Sequence, residues 1–220
     1  MKADITVILV AYNGYGKYLP ERMEEIRNQT IQPAEVIVVL GPNHGVEDDL
    51  GTTTVPTDTI QGLGTMFNIG IEKAKTKWVL CMDIDDNLLP FAIEEVKKFQ
   101  HTGNIISLGW VLTDGGSGKW IHRVEEENLV EWKNHYLGRS GALAFEKTLI
   151  GPDNCWQYQF IMDAFPKGKC VVRTDRACTK YHRFENTMSS QKGIADIHIK
   201  IIEKAVEKCQ RELSKLKGKV

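Results

Sequence analysis

Ile5-Thr-Val-Ile-Leu-Val-Ala11 and Glu35-Val-Ile-Val-Val-Leu40 are two short apolar runs, rich in β-branched residues and each followed by turn-formers. Runs of this kind suit strands buried on both faces. Between them, Tyr18 to Asn28 sets Leu19, Met23, Ile26 and Arg27 at helical spacing, with Pro20 in the first turn and Asn28 near the end. Strand, helix and strand in that order make a β-α-β unit, so the two strands are expected to be parallel.

Working outward, residues 41–61 hold Gly41-Pro42-Asn43, the acidic pair Asp48-Asp49 and a threonine run, which predicts a polar loop with at most one short strand. Leu63 to Lys75 reads as a helix, Trp78-Val-Leu-Cys-Met82 as a strand, Pro90 to Gln100 as a second amphipathic helix and Asn104 to Thr113 as a further strand. The alternation predicts an open, mostly parallel α/β sheet with helices on both faces. Ligands of such sheets sit beyond the carboxyl ends of the strands, where the strand order switches. The segments after Ala11, Leu40 and Met82 are therefore the places to look for a site.

From residue 114 the pattern changes. Asp114-Gly-Gly-Ser-Gly118 reads as a hairpin-like turn, and a segment from Trp120 to Trp132 follows it. Beyond lie a β segment over Ser140 to Phe145, a helix near Asp153 to Lys167, and strands around Lys169–Arg173 and Ala177–His182. This mixed half is expected to add antiparallel edges to the sheet. Farther on, Ala195, Ile199, Ile202, Val206, Cys209, Leu213 and Leu216 are spaced as a heptad seam, and Ile197, Ile201 and Ala205 widen it. A C-terminal amphipathic helix over 193–217 is expected, packed on its own domain or at a dimer seam.

The chain of 220 residues has 42% hydrophobic and 26% charged residues, which fits one globular domain and disfavours collagenous or disordered classes. Its 28 basic and 29 acidic residues give a net charge of −1, and so no global reason to expect nucleic acid as a partner. The balance is uneven: residues 192–220 hold eight Lys/Arg against four Asp/Glu, leaving 20 against 25 in the first 191. Five cysteines without a C-x-x-C spacing indicate neither a disulfide framework nor a zinc site. With no signal-like run and no stretch of about 20 apolar residues, the expected location is cytoplasmic or peripheral to a membrane.

The sharpest motif is Met82-Asp83-Ile84-Asp85-Asp86-Asn87, directly after an apolar strand. Three carboxylates within four positions repel one another unless water or a cation screens them. Mg²⁺ and Mn²⁺ prefer such hard oxygen donors and bind substrate phosphates through one or two carboxylates. Alternation along an extended chain would put Asp83 and Asp85 on one side and Ile84 in the core. Asp85 is then the metal ligand, and Asp83 reaches a neighbouring ligand group. The competing reading is an acidic turn in which Asp86 or Asn87 caps the helix beginning near Pro90.

The motif has company. A first strand ending in Ala11-Tyr12-Asn13 is followed by Gly62, by Phe67-Asn68-Ile69-Gly70-Ile71, and by Ala74 before Trp78. Then come Asp83-Ile84-Asp85-Asp86 with Pro90, Gly141-Ala142-Leu143-Ala144-Phe145, and Tyr181-His182-Arg183. In that order, over about residues 4–185, the chain resembles the family-2 glycosyltransferases. These are inverting enzymes of the GT-A fold that move a sugar from a nucleoside-diphosphate donor (UDP, GDP or dTDP) to a carbohydrate acceptor. The resemblance implies a GT-A domain over 1–185, a three-layer α/β/α sandwich with a nucleotide-binding half (1–113) and an acceptor half (114–185).

It further implies that Ala11, Tyr12 and Asn13 cradle the nucleoside, with Asn43, Asn68 and Gly141 also on the donor side. Asp83 would contact ribose or sugar, Asp85 would hold Mn²⁺ or Mg²⁺ with the diphosphate in a D-x-D motif, and His182 would complete the metal shell. Trp110 and Trp156 fall on the acceptor side, where stacking on a sugar ring competes with core packing.

Three positions depart from the family pattern. The catalytic base is usually an Asp in a Glu-Asp pair, but Trp156-Gln157 stand there, and the nearest acid is Asp153, which also suits a helix N-cap. Asp163 lies two turns or more beyond. After Leu40 the usual Asp is replaced by Gly41-Pro42-Asn43, which weakens the expectation of uridine. Phe67 stands where Arg is common, removing a positive charge from the donor site. Two other readings share the sheet: a catalytically lapsed nucleotide-sugar-binding module and a sugar nucleotidyltransferase. The latter should carry a Gly-rich basic loop after the first strand, and Tyr12-Asn13-Gly14-Tyr15-Gly16-Lys17 matches it poorly. A P-loop is absent, and Gly14-Tyr15-Gly16 lacks the third glycine of a dinucleotide-binding turn.

Overall fold

The structure is a computed structural model that describes residues 2–58, 63–113, 120–121, 142–149 and 171–182. Its strands are β1 (Ala3–Ala11), β2 (Pro33–Leu40), β3 (Thr53–Pro56), β4 (Trp78–Met82), β5 (Asn87–Leu88), β6 (Ile105–Thr113), β7 (Trp120–Ile121), β8 (Ala142–Glu146) and β9 (Val171–His182). Three helices, α1 (Leu19–Arg27), α2 (Leu63–Lys73) and α3 (Ala92–Phe99), accompany them. The strands form one sheet in the order β3-β2-β1-β4-β8-β6-β9-β5, with β7 paired to β6.

The opening β-α-β unit is as the sequence predicts. β1 pairs in parallel with β2, and in parallel with β4 on its other side. Helix α1 ends at Asn28, whose backbone N–H closes the last turn on Glu24 and Ile26. Side chains alternate across β1. Val7, Leu9 and Ala11 join α1 and α3 in one core layer, while Ile8 and Val10 join α2 in the other. Gly70 lets α2 lie close on the sheet, because a Cβ there would stand 2.5 Å from Ile8 and 3.1 Å from Val39. Phe67, one helical turn earlier on α2, is fully buried and packs in this second layer.

The second half mixes strand directions as expected, but its antiparallel pairing is not confined to the edges. β8 is inserted antiparallel between β4 and β6, in the middle of the sheet. Its Ala142-Leu143-Ala144-Phe145 run is buried at every position, as an interior strand requires. β9 then lies parallel to β6, and the edges fall to the short strands β3 and β5.

The two strands expected over 169–182 are one strand, β9. Its register against β6 shifts around Gly109, and the Thr174 hydroxyl accepts a hydrogen bond from the Gly109 N–H at 2.8 Å, satisfying a ladder group at the irregularity. The pairing of β6 with β7 agrees with a hairpin there, although its turn at 114–119 lies outside the described residues. So do the helix expected near 153–167 and the C-terminal helix over 193–217 with its dimer seam. No helix among the described residues is long and apolar enough to cross a membrane.

Candidate functional site

Chain order and space order part company at β1. The chain leaves β1 for β2 on one flank and returns to β4 on the other, so the carboxyl ends of β1 and β4 face a switch point. Tyr12 and Asp83 are the first residues past those two ends.

The loop after β1 is fastened to the loop after β2. The Asn13 N–H donates to the Pro42 carbonyl (3.1 Å), Gly14 to Asn43 (2.7 Å) and Gly16 to His44 (2.7 Å), while Gly41 donates to Ala11 (2.8 Å). Asn13 and Asn43 both adopt the left-handed conformation, at φ 47° and 52°, and both are exposed. Asparagine tolerates that region better than other side chains bearing a Cβ. Gly16 is obligatory for another reason, since a Cβ would stand 2.5 Å from the His44 carbonyl oxygen. Tyr12 and Tyr15 stack with centroids 5.6 Å apart and planes 17° from parallel.

Across from these tyrosines lies the acidic turn. The Asp86 N–H donates to the Asp83 carbonyl at 3.2 Å, so 83–86 is a turn and not the extended segment that alternation predicts. Ile84 is buried as expected. Burial, and next the charge of Asp85, push the Asp83 carboxyl up to about 8. Its Oδ1 is buried and has no hydrogen-bond partner among the described residues. The tyrosines sense the same charges. Burial and then Asp83 raise the Tyr12 hydroxyl to about 12, and burial and then Asp85 raise that of Tyr15. Tyr12 and Tyr15 therefore keep their protons and remain donors beside two acceptor groups.

The competing helix-cap reading does not hold. Asn87 and Leu88 form β5, and α3 starts at Ala92 with Phe91 at its N-cap and no side-chain cap. Asp86 is itself buried, with its carbonyl accepting from the Arg22 guanidinium.

A hard divalent cation fits the donors present: one carboxylate oxygen buried with no partner among the described residues, and a second carboxylate whose charge acts on the first. Among the described residues no three His, Cys, Asp or Glu side chains gather into a metal cluster. The other expected metal ligand, with Asp85, is His182 at the end of β9. β5 and β9 are antiparallel with Asn87 opposite Lys180, and Asp85 and His182 each lie two residues from that pair toward the same end. Backbone register thus brings His182 toward the Asp85 turn.

Of the other expected site residues, Ala11, Tyr12, Asn13 and Asn43 come together around the paired loops. Asn68 is half-buried on α2, beside the fully buried Phe67. Trp110 lies within β6, its backbone opposite Thr179. Gly141, Asp153 and Trp156 lie outside the described residues.

Sequence reasoning missed the group beneath the acidic turn. Arg22, Glu25 and Gln29 of and just beyond α1 contact residues 86–93 through their side chains. The signal was present: Leu19, Arg22, Met23 and Ile26 are the buried stripe of α1, so its charged member is Arg22. Arg27, which the sequence reading placed on that stripe in its stead, is exposed and donates to the Leu50 carbonyl at 3.0 Å.

Residues 6–164 match the family model of Glycosyl transferase family 2. The chain belongs to that family, and its fold is the GT-A type. It is 28% identical over 139 residues to an uncharacterized glycosyltransferase of Methanocaldococcus jannaschii, a stretch covering 59% of this chain and 45% of that protein. Among solved structures it is similar to Staphylococcus aureus TarS 1–349 in complex with UDP-GlcNAc, with a TM-score of 0.63 and 19% identity over 87% of this chain and 61% of that one. The same protein in complex with UDP gives a TM-score of 0.61 and 18% identity over 84% and 61%. The chain thus spans just under half the length of the archaeal relative and about three fifths of the TarS structure.

Proposed function

We propose that this protein is a metal-dependent inverting glycosyltransferase that moves a sugar from a nucleoside-diphosphate sugar to a carbohydrate hydroxyl, in glycan or polysaccharide synthesis. The observation that carries the reading is the Asp83–Asp85 pair at the switch point, with one buried carboxylate oxygen left without a partner among the described residues. An acidic site can hold an anionic donor only through a cation. The TarS structures hold UDP-GlcNAc and UDP, which supports a donor of that chemical class.

In this reading the paired loops of Ala11 to Gly16 and Gly41 to His44 seat the nucleoside, with Asn43 offering an amide to the base. Asp83 orients ribose or sugar, while Asp85 and His182 hold Mn²⁺ or Mg²⁺. A bound cation supplies stabilisation of the charge that builds on the departing diphosphate, without proton transfer. Tyr12 and Tyr15 keep their protons and present donors toward the same region. Inversion also needs a base on the opposite face of the sugar, to which Asp153 is assigned from its place in the sequence.

The test is release of nucleoside diphosphate from a panel of donors with Mn²⁺ and acceptor glycans. Asp153→Asn is expected to abolish transfer by about 100-fold or more while leaving donor affinity nearly intact. Retained turnover in that variant removes Asp153 from the role. A lapsed nucleotide-sugar-binding module is the second reading, favoured by Trp156-Gln157 at the usual acidic pair. It predicts metal-dependent donor binding with no release from any donor.

A further inference from the structure

Helix α1 grips the segment that carries the acidic turn. The Arg22 Nη1 donates to the Asp86 carbonyl. Glu25 Oε2 accepts from the Leu88 N–H at 2.8 Å, and its Oε1 accepts from the Asn87 side-chain amide at 2.5 Å. Gln29, just past the helix, donates to the Leu89 carbonyl at 2.8 Å and accepts from the Ile93 N–H at 3.2 Å. Positions i, i+3 and i+7 of one helix face thus hold four backbone groups of residues 86–93. From the other side β9 holds the same segment, since Leu89 donates to Cys178 at 2.8 Å and Leu88 is paired with Thr179.

The arrangement costs the fold something, which argues that it does more than fill space. The Arg22 side chain is only 2% exposed, and its Nε is buried with no partner among the described residues. An apolar side chain would cover the same space without burying a charge. Its two carboxylate partners are Glu25 at 2.6 Å and Glu21 at 2.7 Å, both on α1. What Arg22 adds to the acidic turn is a fixed carbonyl, and what Glu25 and Gln29 add is a fixed backbone beyond it.

We propose that Arg22 and Glu25 of α1, with Gln29 just past it, form a positioning clamp that sets the placement of the Asp85 carboxylate for a divalent cation and of the Asp83 carboxylate for the donor. The proposal rests on the reading of Asp85 as a ligand of the cation. The three residues touch neither cation nor donor. They act through the backbone of 86–93, as outer-shell partners of metal ligands do.

The test measures Mn²⁺ affinity of the full chain in the presence of UDP, by the electron paramagnetic resonance signal of free Mn²⁺, alongside thermal melts. Glu25→Ala is expected to weaken Mn²⁺ binding by about 10–100-fold. Glu25→Gln, whose amide oxygen still accepts from Leu88, is expected to recover most of that loss. Gln29→Ala removes no charge, so it keeps the comparison available should Glu25→Ala fail to fold, and it too is expected to weaken Mn²⁺ binding. Folded Glu25→Ala and Gln29→Ala proteins that bind Mn²⁺ as tightly as the wild type overturn the clamp while leaving the cation site standing. A Glu25→Gln variant as weak as Glu25→Ala overturns it in favour of charge pairing. A folded wild type that binds no Mn²⁺ with UDP overturns the cation site, and the clamp with it.

Discussion

Asp83 holds an oxygen that is buried with no partner among the described residues, next to a second carboxylate, and a fold that only needed stability would not keep it there. Removing the charge should therefore help the metal-free protein and harm its binding. Asp83→Asn is expected to raise the melting temperature of the metal-free chain by about 2–4 °C, corresponding to relief on the order of 1 kcal/mol, while donor binding is lost. Differential scanning calorimetry checks the first part, and an unchanged or lower midpoint would contradict it. Asp83 and Asp85 stand out as candidates in the sequence because residue type and place agree: paired acids directly past an apolar strand. Arg22 does not. Helical spacing puts Arg27 on the inward stripe of α1, whereas the structure buries Arg22 there and leaves Arg27 exposed.

At the scale of elements, one of the two core layers depends on how closely α2 lies against β1 and β2. Gly70→Ala would bring a methyl group to 2.5 Å from Ile8 and force α2 or the β1 side chain to move. It is expected to cost about 1–3 kcal/mol, read as a lower urea midpoint with an unchanged slope; an unchanged midpoint would show that the helix has slack. The helices and the parallel strands of the first 113 residues could be read from periodicity, since each is a local pattern. The place of β8 could not. An apolar run such as Ala142 to Phe145 announces a buried strand, but which neighbours it takes is decided by partners more than 30 residues away, Val79 to Met82 and Ile105 to Ser107. The acidic turn shows the converse limit: alternation supposes an extended chain, and a single Asp86-to-Asp83 hydrogen bond ends it.

For the molecule as a whole, the strand order makes a switch point, the paired loops form one wall of it, and the acidic turn forms the other. Asp85 puts a negative charge on that wall, and the proposed donor is negative too. The near-zero net charge of the chain conceals this, because the basic excess of residues 192–220 offsets an acidic remainder. The account therefore requires the donor to arrive with a cation. Isothermal titration calorimetry of a panel of nucleoside diphosphates, with Mn²⁺ and with chelator, measures that requirement directly. The account predicts binding by at least one nucleoside diphosphate that needs Mn²⁺ and is lost in Asp85→Asn. Equal binding with and without Mn²⁺, or no binding by any member of the panel, would contradict it.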